Sequence, residues 1–293
     1  MNDFIALLPS LLIGALALIM FGLGLSLTVG DFRRLLGQPK PVLLALFLQA
    51  LLLPAVCYGL IVALDVQPVY AVGLMLLAAS PGGVSANLYS HLFGGNVAMN
   101  ISLTAINTVL SIISLPLIGN FAINTFARTG QVVPMQTGKV IEVIVIVMVP
   151  VLIGMFVKNR APAFAARSDK PMKRFSMLVL AALALIAIAK EWSSLSTSFA
   201  SIGLAVIAFN ALSLGLGYYV PRMLGLDKPN AIAIGYEIGI HNSTLAIFVA
   251  VSVLGDFQLM VPAAIYSVSM YVLATAFGFL VLGRQPAAAA VRA

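Results

Sequence analysis

The chain is 293 residues long, with 61% apolar residues, 9% charged residues and a net charge of +7. An ordinary soluble domain carries about 25% charged residues, and no soluble fold of this size has interior enough to hide so much apolar surface. The mean hydropathy of +1.09 therefore excludes a soluble enzyme and a disordered chain, and a lone Cys57 excludes a disulfide scaffold. The basic residues sit in short gaps between apolar runs, not interleaved with aromatics on a polar face. They read as a membrane topology signal and not as a nucleic-acid surface.

In chain order, the apolar runs predict nine helices, at 5–29, 41–64, 69–93, 96–126, 138–158, 173–190, 199–221, 229–255 and 258–283. Each meets the roughly 20 residues that a helix needs to cross a bilayer. The first run carries Asp3 ahead of its apolar stretch, lacks a basic lead and is long, so it reads as a span and not as a cleaved signal. With the N-terminus outside, thirteen of the sixteen Lys and Arg fall on the inner side, leaving Arg128, Lys139 and Lys190 outside. That bias predicts a multi-pass protein of the cell's inner (plasma) membrane, with the C-terminus cytoplasmic and 160–173 as the long cytoplasmic connection. Pro54, Pro116, Pro150 and Pro262 read as structural kinks.

Two runs break their own helix. The third contains Ser80-Pro81-Gly82-Gly83-Val84-Ser85-Ala86-Asn87, and Pro-Gly-Gly in mid-span cannot keep regular helical hydrogen bonds. Such a break is tolerated only where it is buried in protein or lines a wet cavity. The eighth contains Gly235-Tyr236-Glu237-Ile238-Gly239-Ile240-His241-Asn242-Ser243-Thr244. Glu237 is the one acidic residue expected deep in the membrane, where a charge costs about 2.5–3.5 kcal/mol on insertion scales. A polar, Gly/Pro-interrupted span in each half is the sequence sign of an inverted-repeat secondary transporter. The expected fold is an all-α polytopic membrane protein with two discontinuous crossing helices. Half-helix N-termini and unwound carbonyls there offer sites for an anion and a cation.

These motifs resemble the bile acid:sodium symporter family over essentially the whole chain. Pro-Gly-Gly…Asn87 followed by Gly95-Asn96-Val97-Ala98 is similar to the family's first broken helix and its successor, and Glu237-Ile238-Gly239-Ile240-His241-Asn242-Ser243 to its second. Gln49, ahead of Pro54, also matches. The resemblance implies one integral membrane transporter over 1–293, with a core domain near 41–126 and 199–283 and a panel domain near 5–29 and 138–190. It implies a sodium-coupled symporter of an organic anion, working by alternating access, with two Na+ sites behind the crossover.

Position by position, the first Na+ site implied uses Asn87, Asn100, Thr104 and Glu237, with Ala86 able to offer only its carbonyl. The second uses Glu237, the Ile238 and Ile240 carbonyls, Gln49 and the position of His241. The family has Gln where His241 stands, and a hard cation prefers oxygen to imidazole nitrogen. Three alternatives follow: the second site is weakened, His241 supports it indirectly, or protons replace one Na+. The implied substrate residues are Asn242, Val84 and Ser85, with Met270 and Tyr271 where members carry a His-Asn pair. The substrate class is a bile-acid-like anion or a smaller carboxylate, such as a pantoate-like metabolite. The lipid bilayer is the other partner implied, with no nucleic acid and no obligate protein partner. A proton-coupled transporter or an efflux permease of the same fold is the alternative. An intramembrane enzyme would need a HExxH, paired-Asp or GxSxG site, and none occurs.

Overall fold

The computed structural model describes residues 2–127, 137–168, 171, 175, 178 and 192–283. Among these the chain is helical: α1 (Asn2–Ser26), α2 (Val29–Leu36), α3 (Pro39–Ala63), α4 (Pro68–Ala79), α5 (Ser85–Leu92), α6 (Val97–Phe126), α7 (Thr137–Arg160), α8 (Trp192–Met223), α9 (Lys228–Gly239), α10 (Ser243–Val253) and α11 (Gln258–Leu282). Five helical stretches are long and apolar enough to cross a membrane: Pro39–Ala63, Val97–Phe126, Gly138–Arg160, Ile202–Met223 and Gln258–Leu282. The third and eighth predicted runs are each two short helices, α4–α5 and α9–α10. Apart from residues 175 and 178, the predicted sixth run (173–190) lies outside the described residues.

The helix boundaries follow from local chemistry. Pro68 and Pro229 lie in the first turns of α4 and α9, where a missing N–H costs nothing. Asp227 and Asn96 cap α9 and α6 by accepting hydrogen bonds from the Asn230 and Met99 amides. Pro54 removes an amide from mid-helix, and just before it α3 relaxes into a π turn at Leu48–Leu52, closed by the Leu53 amide on the Leu48 carbonyl. Pro262 differs from the expectation of a kink. It sits in the first turn after a 3₁₀ lead-in at Gln258–Met260, where proline fits a helix start.

The two halves repeat one order of elements: long helix, broken helix, long helix. The order is α3, α4–α5, α6 and then α8, α9–α10, α11. Pro68 and Pro229, in the first turns of the broken helices, are 161 residues apart, as are Val97 and Gln258, which open the helices that follow.

Close packing comes from small residues. A Cβ on Gly24 of α1 would strike the Val151 carbonyl oxygen of α7, and one on Gly154 would strike the Phe21 carbonyl oxygen. With lipid as apolar as the side chains, such backbone approach supplies the van der Waals contact that holds helices together. Gly24→Leu is expected to separate α1 from α7 and to lower the melting temperature in detergent. Overpacking of this kind costs about 1–3 kcal/mol. An unchanged melting temperature would show that this contact does not hold the pair together.

Three lysines meet carbonyls at helix ends. Lys158 donates to the Ser26 carbonyl (2.6 Å), Lys40 to the Leu224 carbonyl (2.8 Å) and Lys228 to the Leu282 carbonyl (3.2 Å). Each meets a carbonyl at or just beyond a helix C-terminus, where the last turn has no internal partners and the dipole favours a cation. The residues read as a topology signal therefore also finish α1, α8 and α11.

Candidate functional site at the crossing of the broken helices

Ser80 ends α4 in an extended conformation (φ −73°, ψ 148°), as the residue ahead of Pro81 must, because the proline ring excludes the helical region there. Ile240 ends α9 (φ −118°, ψ 87°). The two loose ends pair with each other. The Gly83 amide donates to the Ile240 carbonyl (2.6 Å), and the Asn242 amide donates to the Pro81 carbonyl (2.8 Å). These two bonds flank an antiparallel bridge between Gly82 and His241. Each break thus supplies the hydrogen bonds that the other lost, which is what an apolar medium demands. The Asn242 amide would otherwise bond to the Ile238 carbonyl, so the crossing also diverts that carbonyl's helical donor.

Glu237 lies immediately beside the bridge and is fully buried. Its Oε2 accepts from the Thr104 hydroxyl (2.6 Å) and its Oε1 from the Asn107 amide (3.0 Å). Gly82 sits so close to the carboxyl group that a Cβ there would collide with it. Neither donor is charged, and the ion pairs found among the described residues, Arg34–Asp31 and Lys139–Glu142, lie elsewhere.

On helices that pack against α9, buried amide oxygens lack donors. The Asn100 amide nitrogen donates to the Ala233 carbonyl (2.6 Å), one turn before Glu237, and leaves Oδ1 without a hydrogen bond. The Gln49 amide nitrogen donates to the Ala78 and Ser80 carbonyls (3.3 and 3.0 Å), which fixes its orientation and leaves Oε1 without one. Asn87 Oδ1, on α5, is a third. Buried polar atoms are ordinarily satisfied, so amide oxygens with no donor, on helices packed against the one that carries a buried carboxyl group, suit a hard cation, which takes oxygen ligands. The fit of these residues to Na+ rests on that donor set.

His241 is buried against rings. It stacks on Phe209 (5.5 Å between centroids, 1° between planes) and tilts against Tyr266 (5.4 Å, 48°). Neither ring nitrogen has a hydrogen-bond partner. Asn242 caps α10 by accepting from the Leu245 amide (3.1 Å). No side chain caps α5, which Val84 precedes. Ser85 opens α5 and shares a hydrogen bond with the Tyr271 hydroxyl (3.1 Å), while Met270 is buried in the core.

The geometry therefore brings together Glu237 and Thr104, and Ser85 and Tyr271. Gln49 meets the first break, and Asn100 meets α9 one turn below the carboxylate. The sequence reading missed Asn107. Its signal was present: Asn100, Thr104, Asn107, Thr108 and Ser111 recur at helical spacing along one buried face of α6. Asn210 on α8 was missed as well.

Residues 13–198 match the sodium bile acid symporter family. The chain is similar to YocS of Bacillus subtilis, described as an uncharacterized sodium-dependent transporter, at 30% identity over 254 residues, 86% of this chain and 77% of that one. It is also similar to a probable sodium/metabolite cotransporter, the chloroplastic BASS1 of Arabidopsis thaliana, at 29% identity over 261 residues, 89% of this chain. The human P3 protein is 26% identical over 227 residues, 78% of this chain. This chain spans 64% of the length of the plant relative and 47% of the human one.

Proposed function

The chain belongs to the sodium bile acid symporter family, and on that premise we propose that it is a sodium-coupled symporter of an organic anion, working by alternating access. The family is one of membrane transporters and not of enzymes. The observation that carries the reading is Glu237: a buried carboxyl group held only by neutral donors, beside helices whose amide oxygens lack donors. One Na+ is drawn by Glu237, Thr104, Asn87 and Asn100. A second is drawn by Glu237, Gln49 and the carbonyls of Ile238 and Ile240, with His241 replacing the usual amide.

Na+ neutralises Glu237 and ties α5, α6 and α9 together. That favours the conformation in which the substrate carboxylate meets the Asn242 amide and the uncapped start of α5. Ser85 and Tyr271 add hydroxyls beside it, with Val84 and Met270 as apolar neighbours. The core is α3–α6 with α8–α11. It rocks against a panel that includes α1 and α7, with the N-terminus outside and the C-terminus cytoplasmic. Coupling requires Na+ to bind the substrate-competent state more tightly than the other, since equal affinity shifts nothing. The substrate is a bile-acid-like anion or a small carboxylate such as a pantoate-like metabolite.

The test is a sodium titration of thermal stability in detergent at constant ionic strength, with potassium as the control, followed by a panel of small carboxylates in saturating sodium. Sodium is expected to raise the melting temperature where potassium does not, and one carboxylate is expected to add to the effect only when sodium is present. Equal responses to the two ions would overturn sodium coupling. Proton coupling in the same fold is the second reading, favoured by the buried, unpartnered ring of His241. Uptake driven by a pH gradient and indifferent to sodium would select it.

A further inference from the structure

The break after α9 is also held by two residues that the family resemblance does not assign. The Asn210 amide nitrogen donates to the Gly239 carbonyl (2.8 Å) and to the Tyr266 hydroxyl (2.7 Å). The Tyr266 hydroxyl donates in turn to the same carbonyl (2.9 Å). The hydrogens close without remainder: both amide hydrogens and the phenolic hydrogen are used, and both lone pairs of the Gly239 oxygen are filled. In an unbroken helix that oxygen would receive the Ser243 amide, which here goes to the His241 carbonyl (2.9 Å).

The first half of the chain contains the matching device. Gln49 on α3 donates to the Ala78 carbonyl at the end of α4. Gln49 and Asn210 are 161 residues apart, and so are the carbonyls that they hold, Ala78 and Gly239. That is the offset relating the two halves of the fold. Both amides are saturated on the nitrogen and leave the oxygen without a donor; the oxygen of Gln49 is the one proposed above as an ion ligand.

We infer that Asn210 and Tyr266 are positioning residues for the coupling ion: by clamping the Gly239 carbonyl they fix the backbone on either side of it, the Ile238 and Ile240 carbonyls and the Glu237 side chain. The inference rests on the sodium-coupled reading above. A saturated Gly239 oxygen cannot itself ligate a cation, so the clamp also decides which carbonyls of the break are offered. The Ile240 carbonyl accepts from the Gly83 amide, so a shift at Gly239 passes directly into the crossing. Phe209, next to Asn210, and Tyr266 are also the two rings that hold His241.

The test uses the full-length protein, with sodium alone as the probe. Asn210→Ala removes two donors, and Tyr266→Phe removes one hydroxyl while keeping the ring. Half-saturating sodium is read from thermal stabilisation and, in proteoliposomes, from uptake against sodium concentration. Loss of one or two buried hydrogen bonds that act through the ion site is expected to raise half-saturating sodium about fivefold to tenfold, with the maximal uptake rate little changed. Asn210→Gln, which keeps the amide, is expected to recover part of the loss. A lower melting temperature in potassium with unchanged half-saturating sodium would mean a purely structural role and would overturn the inference. If Asn210→Ala fails to insert, Tyr266→Phe decides alone. Wild-type protein with no sodium response would sink the functional reading and the clamp with it. A sodium-responsive wild type with unshifted variants sinks the clamp only.

Discussion

Glu237→Gln is expected to insert and fold but to lose sodium-stimulated uptake, and with it the thermal stabilisation by sodium. The substitution keeps the shape of the side chain and its place between Thr104 and Asn107. What it removes is the charge. A buried carboxylate is costly in an apolar medium, by about 2.5–3.5 kcal/mol even on insertion scales, and two neutral donors offset only part of that. The remainder is what a bound cation supplies, so a neutral amide has little reason to recruit one. Folding in the absence of sodium is expected to be as good as in the wild type, because the cost of the buried charge goes with the charge. Uptake that remains fully sodium-dependent in Glu237→Gln would place the ion elsewhere. Glu237→Ala is expected to behave alike in transport and to be less stable, since it also leaves the Thr104 and Asn107 donors without an acceptor.

Gly82→Ala is expected to abolish transport and to destabilise the protein, although it adds one methyl group. A Cβ at Gly82 would meet both carboxyl atoms of Glu237 nearest to it and the Glu237 main-chain oxygen at 2.7 Å. Neither neighbour can yield. The carboxylate is fixed by α6, and the backbone is fixed by the two bonds of the bridge. Gly82 itself belongs to the bridge with His241, so moving it breaks the pairing that satisfies both helix ends. The measurements are uptake in proteoliposomes and melting temperature in potassium. The neighbouring Gly83 offers a contrast: its added methyl would sit at 3.2 Å from the His241 carbonyl oxygen, a contact that small shifts relieve. Gly83→Ala is therefore expected to retain partial activity. Equal tolerance at both positions would show that the carboxylate is not packed against Gly82.

The sequence was informative wherever a local property decided the outcome. Runs of apolar residues marked α3, α6, α7 and α11 to within a few residues of their ends. Pro81-Gly82-Gly83 marked the first break, because a proline has no amide hydrogen to give and each glycine costs a helix about 1 kcal/mol; the second was marked by the polar cluster around Glu237 and by the family resemblance. Glu237 stood out as the acidic residue far from the ends of its apolar run, and it is buried; Thr104 entered through the family resemblance.

Partnership across space was not legible. Asn107 stands one turn from Thr104 and looked like any amide in a membrane helix. Only the rotation of α6 against α9 puts it on the carboxylate. Asn210 and Tyr266 lie 56 residues apart, and nothing in either segment announces that both reach for Gly239. The bridge between Gly82 and His241 joins residues from different halves of the chain.

By itself, then, the amino-acid sequence determined that this is a bundle of apolar helices with two interrupted members and one deep carboxyl group. Those features depend on the cost of placing backbone and charge in hydrocarbon, which each residue incurs alone. Tertiary structure decided which polar atom answers which. That choice depends on helix rotation and on how closely backbones approach at glycines such as Gly24, Gly82 and Gly154. Both are set by packing between segments far apart in the chain, and no local pattern encodes them.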